Sequence, residues 1–440
     1  MSKSIDLPDC YNYKPPITIT PSAPTPNHSL YLSNLDDLMY QRLYFSEIYI
    51  FKKSVKVDIL KSSLSRVLVD YYPVAGRLRT SSEDENKLVV DCNGEGVLFA
   101  EASMDITAEE LLIPCMTQHK SLKKLKCKGN TKKMLDNPLL LIQVTNLRCG
   151  GMILFISLNH VLLDGTGISQ FLNDWAHLTI NPNSNLTIKP YHNREMLNIR
   201  EPPQIKFPHP VYIKEPEHTN YERNYLMWFI NQKIVHTSIT FGANEILRLR
   251  KQCTTSSFKY VTDFEVIVAH TWRSMTKSLN MSPTRVVNIC FTANIRKKLK
   301  LPKGFYGNAF VLVSAESTVK DLVNSNNLDH CIKCVQQAKS YLDDEEYIRS
   351  SIDLLKDKTL IVDEAINVFV SQLNKLGIQD LDFGEGKPFH VDTLDNDFAA
   401  FLLPVIGDPN AVRVIIPISK NSVDKYHHYM TEIESWEQDE

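Results

Sequence analysis

Apolar positions along the chain fall into short alternating runs separated by longer stretches of helical spacing. The run EIYIFKK (47–53) alternates as a half-buried strand does. Beyond it, VDILKSSLSRVLVDYY carries Ile59, Leu60, Leu64, Val67 and Leu68 at helical spacing, and Pro73 and Gly76 end the helix. KLVVDCNGEGVLFAEA (87–102) predicts a hairpin of two strands around NGEG. LLLIQVTNLRCGGMILFISLNH (139–160) predicts two more strands on either side of RCGG. A helix follows, with Ile168, Phe171, Leu172 and Trp175 at i, i+3, i+4 and i+7, so one apolar stripe faces a sheet. Gly165 and Gly167 mark the turn before it.

From about 180 to 220 the periodicity gives way to a stretch rich in Pro and Asn, which reads as a linker. The pattern then resumes. KIVHTSITF predicts a strand, NEILRLRKQC and VTDFEVIVAHTWRSMTKSL two helices, and TRVVNICFTANI another strand. FVLVSAEST, a long helical region over 321–377, AAFLLPVI and AVRVIIPIS complete a mixed α/β half. A chain of 440 residues favours two domains over one core.

Lys and Arg total 49 against 51 Asp and Glu, so the chain lacks the positive field that nucleic acid or an anionic membrane surface demands. The lysine-rich run KSLKKLKCKGNTKK reads as a solvated loop. Nine scattered cysteines point to reduced thiols in a cytoplasmic compartment, and Cys331 and Cys334 sit in a helix-like segment as two ordinary thiols. The N-terminus has no apolar signal region, and no stretch approaches the length of a membrane-spanning helix.

One motif interrupts this pattern with chemistry. In SLNHVLLDGTGISQFLNDW, His160 stands at the mouth of an apolar strand, where an oriented imidazole accepts a proton near neutral pH. Asp164 can fold back on the turn or pair with a basic residue, and Gly165 gives backbone freedom or room for a ligand. A histidine that is simply hydrogen-bonded at a strand end fits the same residues. A zinc site lacks a third ligand, so no metal is expected, and no G-x-S-x-G elbow supplies a nucleophile for His160 to activate. Far downstream, DLDFGEGKPFHVD (380–392) reads as a constrained loop, with Gly384 and Gly386 flanking Glu385.

The pair H-x-x-x-D-G and D-F-G-x-G-K-P, in this order, resembles the plant BAHD acyltransferases. LYLSNLDD, LKSSLSRVLVDYYPVAGRLR, GEGVLFAEA, FEVIVAHTWR and ANIRKKLKLPKGFYGNAF extend the resemblance over most of the chain. It implies two α/β domains related to chloramphenicol acetyltransferase, with mixed sheets, a crossover loop and an active-site channel at their interface. The expected division is 1–185 with about 366–390, a linker over 186–220, and 221–440. The family's reaction moves an acyl group from acyl-CoA, a co-substrate and not a permanent cofactor, to a small-molecule alcohol or amine. By the same resemblance His160 is the general base, Asp164 is structural and pairs with Arg296, Gly165 completes the motif, and Asp382, Phe383, Gly384 and Gly386 form a loop near the coenzyme channel. The family implies a monomer.

Two positions depart from the family pattern. Glu385 replaces a tryptophan, which is costly if the carboxylate is buried unpaired and mild if it faces water or Lys387. Leu373 stands where members using hydroxycinnamoyl donors carry a tryptophan that supports the oxyanion, which leaves Ser371 as the alternative donor. These departures keep open a second reading, an accessory protein of this fold that modulates another lipid or wax pathway enzyme. The expected acceptor is a specialised metabolite, a lipid alcohol or a steroid-like alcohol.

Overall fold

The computed structural model describes residues 7–12, 15–117, 122, 124–126, 135–214, 229, 231–253, 260–324, 328–363, 366–394 and 398–432. Most of the lysine-rich run at 120–133, including Cys127, lies outside them. Contacts divide the chain into two compact units, one of residues 1–198, 299–310 and 373–395, the other of 199–298, 311–372 and 396–440.

The first unit is built on a sheet whose strands, numbered along the whole chain, are β1 (Tyr11–Asn12), β2 (Ile17–Ile19), β4 (Tyr44–Phe51), β7 (Val97–Met104), β8 (Leu140–Leu147), β9 (Met152–Asn159) and β16 (His390–Thr393). Their order is β1-β7-β8-β9-β4-β16, with β2 also on β7. β8 and β9 form the expected antiparallel hairpin, and Gly150 at its turn has a φ of +82°. Every residue of β9 is buried. One face of the sheet offers Ile48, Ile50, Ile153 and Phe155 to a core that also holds Met104, Leu111 and Leu394. α1 (Val57–Asp70) and α3 (Gly165–Ile180) pack on each other and reach the sheet through Lys61 over Phe99 and through Phe383, which touches both Trp175 and Phe51; α2 is Ala108–Thr117. Trp175 on α3 is fully buried and donates its indole N–H toward the Leu60 carbonyl, 3.2 Å, and Ser63 Oγ, 3.0 Å, on α1. The helical stripe therefore brings a polar handle that fixes the angle between the helices.

The expected hairpin over 87–102 does not form. β6 (Leu88–Asp91) pairs with β3 (Ser29–Tyr31) and β5 (Arg77–Thr80) in a separate sheet, while β7 joins the main one. Gly94 and Gly96, at φ +68° and +95°, redirect the chain between sheets. A Cβ on Gly96 would stand 2.5 Å from the Ile19 carbonyl oxygen, so this turn is packed against β2 and is not a free hairpin tip.

Glu47 on β4 is buried in this unit, with the Tyr49 hydroxyl donating to its Oε2 at 2.5 Å. Burial pushes its carboxyl up to about 7, against an ordinary 4.5. Between these values the unfolded chain is ionised while the folded one holds its proton, so stability falls as pH rises from 4.5 through 7, by ~3 kcal/mol in all. Glu47→Gln keeps an acceptor for Tyr49 and removes this loss. Its urea midpoint is expected to exceed the wild-type value by more at pH 8 than at pH 5; an equal gap at both would exclude Glu47 as the source.

The second unit carries β10 (Tyr212–Lys214), β11 (Ile234–Phe241), β12 (Val286–Asn294), β13 (Phe310–Thr318) from Val311 onward, β14 (Leu360–Val362), β15 (Ile366–Gln372), β17 (Ala400–Val405) and β18 (Asp408–Ser419). The main sheet runs β11-β18-β17-β15-β12-β13, and β10 pairs with β14 apart from it. Its helices are α4 (Ala243–Lys251), α5 (Asp263–Ser278), α6 (Val319–Asn324), α7 (Asp329–Ser340), α8 (Glu345–Leu354) and α9 (Val423–Thr431). The helical reading of 321–377 is corrected here. Helix ends at Leu354, and β15 is a central strand, parallel to both β12 and β17. Parallel neighbours require long crossovers, which α6 to α8 supply ahead of β15.

Candidate active site

β9 delivers His160 at its C-terminal end. The His160 backbone N–H donates to the Leu43 carbonyl at 2.9 Å, which continues the pairing of β4 with β9 past the last strand residue. Phe45 and Phe310 present edge-on contacts to the imidazole, each with its centroid 6.2 Å away. Burial lowers the histidine's pKa below its ordinary 6.5, and the nearby Asp164 charge opposes that shift without cancelling it. The ring is therefore neutral at pH 7.

Asp164 is the N-cap of α3. Its Oδ1 accepts the Gly167 N–H at 3.0 Å, and its Oδ2 accepts the Ala309 N–H at 3.1 Å. One carboxylate thus starts the helix and ties it to the 306–309 segment. The two motif glycines differ in what they require. A Cβ on Gly165 would meet only Leu376 Cδ1 and Leu373 Cδ2, both ends of flexible side chains, whereas a Cβ on Gly167 would lie 1.9 Å from the Tyr306 carbonyl oxygen.

Arg194 comes from the stretch read as a linker, yet only 2% of it is exposed. Its guanidinium donates to Asp36 Oδ1 at 3.2 Å and to the Leu162 carbonyl at 3.0 Å, and it stacks over Tyr306 at 4.7 Å. Asp36 is fully buried, and Asn308 Nδ2 donates to its Oδ1 at 3.0 Å. Asn308 in turn reaches His160: its Nδ2 lies 2.8 Å from the His160 carbonyl oxygen and its Oδ1 3.0 Å from His160 Nδ1. Sequence reasoning singled out none of Asp36, Arg194 and Asn308, although LYLSNLDD and FYGNAF contain two of them. Only Asn308, a lone amide in the apolar FYGNAF, carried a local signal, since Asp36 and Arg194 stand in polar stretches.

The D-F-G loop is held by its own first residue. Asp382 Oδ1 accepts the backbone N–H of Gly384 at 2.7 Å and of Gly386 at 3.1 Å, and both glycines have positive φ, +101° and +105°. Phe383 anchors the loop in the core, edge-on to Trp175 at 4.9 Å and to Phe51 at 6.1 Å. The Glu385 side chain is 50% exposed with Lys53 4.0 Å away, while Lys387 pairs with Asp380 at 2.8 Å. The charge that replaces the expected tryptophan is therefore solvated, and the departure is mild. Leu373 is buried in the first unit beside Gly165, so it packs the start of α3. Ser371 lies on β15 of the second unit, half-buried, opposite Phe401. Arg296 follows β12 in that unit, its backbone N–H donating to Asn294 Oδ1 at 3.0 Å.

Among the described residues one group has metal-ligand chemistry, Cys115, His390 and Asp392, whose donor atoms lie within 4.8 Å of one another. Asp392 accepts the Thr393 N–H on Oδ1 at 2.8 Å and faces His390 Nε2 with Oδ2 at 3.3 Å, so both its oxygens have protein partners. The described cysteines are all free thiols, and burial pushes Cys92 and Cys331 up to about 12, which makes them poor nucleophiles. No helix among the described residues is long and apolar enough to cross a membrane.

Comparison with known proteins agrees with this frame. The family model described as the Transferase family matches residues 14–433. Alcohol acyl transferase 1, allele GSd, of Malus domestica is 36% identical over 390 residues, which covers 85% of this chain and 82% of that protein. Benzyl alcohol O-benzoyltransferase of Petunia hybrida is 32% identical, over 92% of this chain and 88% of its own. Among solved structures, vinorine synthase superposes with a TM-score of 0.72 at 20% identity, over 94% of this chain and 96% of that one. The chain belongs to the Transferase family, the BAHD acyltransferases. It is an acyltransferase that moves groups other than aminoacyl groups, with acyl-CoA as its co-substrate.

Proposed function

We propose that this protein transfers an acyl group from a coenzyme A thioester to the hydroxyl oxygen of a small alcohol, with His160 as the general base. The observation that carries this reading is the imidazole held at the end of β9, whose Nδ1 lies 3.0 Å from Asn308 Oδ1. Nε2 takes the acceptor's proton as its oxygen attacks the thioester carbonyl. The C–S bond then breaks as the tetrahedral intermediate collapses, and the imidazolium returns the proton to the departing thiolate. No acyl-enzyme forms. The relatives' printed activities, on alcohols including benzyl alcohol, support an alcohol as acceptor.

Ser371 is the proposed donor to the oxyanion in place of the family tryptophan, and the proposal includes the pairing of Asp164 with Arg296 and the placing of the D-F-G loop near the coenzyme. It further takes the protein to be a cytoplasmic monomer. Purified protein given a panel of acyl-CoA thioesters with aliphatic and benzylic alcohols is expected to release free thiol and ester in equal amounts. Ser371→Ala and Arg296→Ala in the same assay read those two assignments, and unchanged turnover would remove them. No thiol release with any donor and acceptor would overturn the transferase reading and favour the accessory one, whereas thiol release without ester would mark hydrolysis of the thioester in place of transfer. Because burial lowers the base's pKa, activity is lost only as the ring protonates, so the acid limb of kcat/KM is expected below pH 6.5. An acid limb above 6.5 would exclude His160 as the titrating base.

A further inference from the structure

We propose that Asp36 and Asn308 are positioning residues that fix His160 in the Nδ1–H tautomer, leaving its Nε2 lone pair free to accept a proton. The inference rests on the general-base reading above and deepens it. It follows from which atoms around Asn308 can only accept hydrogen bonds.

Asn308 is completely buried, so its amide must find its partners within the protein. One end of that amide faces two groups at once, Asp36 Oδ1 at 3.0 Å and the His160 carbonyl oxygen at 2.8 Å. A backbone carbonyl has no proton to give. Asp36 is held as an acceptor by a shell of donors: Oδ1 also receives the Asn308 backbone N–H at 3.0 Å and Arg194 at 3.2 Å, while Oδ2 receives the Ser33 N–H at 3.0 Å and the Ser33 hydroxyl at 2.6 Å. An amide turned the other way would set its oxygen against both acceptors. The end that faces them is therefore the NH2 group, with one proton for each.

That assignment leaves the Asn308 oxygen facing His160 Nδ1 at 3.0 Å. An amide oxygen only accepts, so Nδ1 must carry the proton. The neutral imidazole has a single ring proton, and Nε2 is the basic nitrogen. When Nε2 takes the substrate's proton, the Nδ1–H bond to Asn308 persists and the ring stays aligned in both protonation states. Asp36 plays a part here without touching the imidazole: it orients the amide that orients the ring, as second-layer partners do for functional histidines elsewhere.

The decisive measurement is read on the wild-type protein. Protein labelled with 15N in its histidine rings is examined by long-range proton–nitrogen correlation at pH 8, and the His160 signals are assigned by their disappearance in His160→Gln. The expected pattern is a protonated Nδ1 and an unprotonated Nε2. A protonated Nε2 would overturn the inference whether or not the protein is an active transferase. Conversely, the Nδ1–H pattern in a protein with no turnover would leave the tautomer device standing and remove the general-base reading.

Asn308→Ala then tests the consequence. It is expected to move the histidine toward Nε2–H and to lower kcat by about 10–100-fold, with KM for acyl-CoA unchanged. Asn308→Asp keeps an acceptor for Nδ1–H but sets its second oxygen against Asp36 Oδ1 and the His160 carbonyl, so it is expected not to restore the turnover that Asn308→Ala loses. Loss of turnover in Asn308→Ala with the Nδ1–H tautomer intact would show a merely structural role and sink the proposal.

Discussion

His160→Ala is expected to lower kcat/KM by about 10²–10⁴-fold, the usual contribution of a positioned base. An alcohol is a weak nucleophile at neutral pH, and in the proposed mechanism the base at the end of β9 lets its oxygen attack as the proton leaves. The loss should fall on kcat, with KM for acyl-CoA unchanged, because Nε2 strengthens its hold on the acceptor's proton only in the transition state. Folding should survive. The strand-end contacts of residue 160 that matter to the fold are backbone ones, the N–H to Leu43 and the carbonyl to Asn308, and alanine keeps both. Circular dichroism and thermal melts beside steady-state kinetics make the check. Turnover within about threefold of wild type in a folded variant, where a base should contribute at least about 10², would transfer the role to another group.

The largest stability effect is expected at Gly167, not at the motif glycine beside Asp164. Gly167→Ala places a methyl group 1.9 Å from the Tyr306 carbonyl oxygen, and a backbone atom cannot rotate away. Either α3 or the 306–309 segment must shift. That segment carries Asn308 and the Ala309 N–H that bonds Asp164, so the strain reaches His160 as well. A loss of at least ~3 kcal/mol, at the top of the range for overpacked cores, is expected together with loss of activity. Gly165→Ala meets only the flexible ends of Leu376 and Leu373, which can turn aside, so it should change stability by less than ~1.5 kcal/mol. Chemical denaturation of both variants decides the matter, and a Gly165→Ala more damaging than Gly167→Ala would contradict the packing argument.

Periodicity located most strands and helices because each answers to local rules. The 3.6-residue stripe of Ile168, Phe171, Leu172 and Trp175 is buried as its spacing requires. The failures occurred where pairing partners lie far away in sequence. Leu88–Asp91 and Val97–Met104 look like a hairpin locally, but β3 and β5 claim the first strand and β1, β2 and β8 the second. Ile366–Gln372 reads INVFVSQ, where the consecutive Val368, Phe369 and Val370 give no clean alternation, and it follows three helices, so its strand character was hidden until parallel β12 and β17 flanked it.

The sequence by itself determined the fold class, the family and the histidine that ends β9, since short motifs with fixed local spacing carry all three. Tertiary structure decided how that histidine is oriented. Asp36, Arg194 and Asn308 are scattered over more than two hundred and seventy positions, and their meaning lies in a directional hydrogen-bond chain of 3.0 to 3.2 Å contacts that no one-dimensional pattern encodes. Burial makes each donor in that chain answer to an acceptor, and only the folded unit sets which atoms meet.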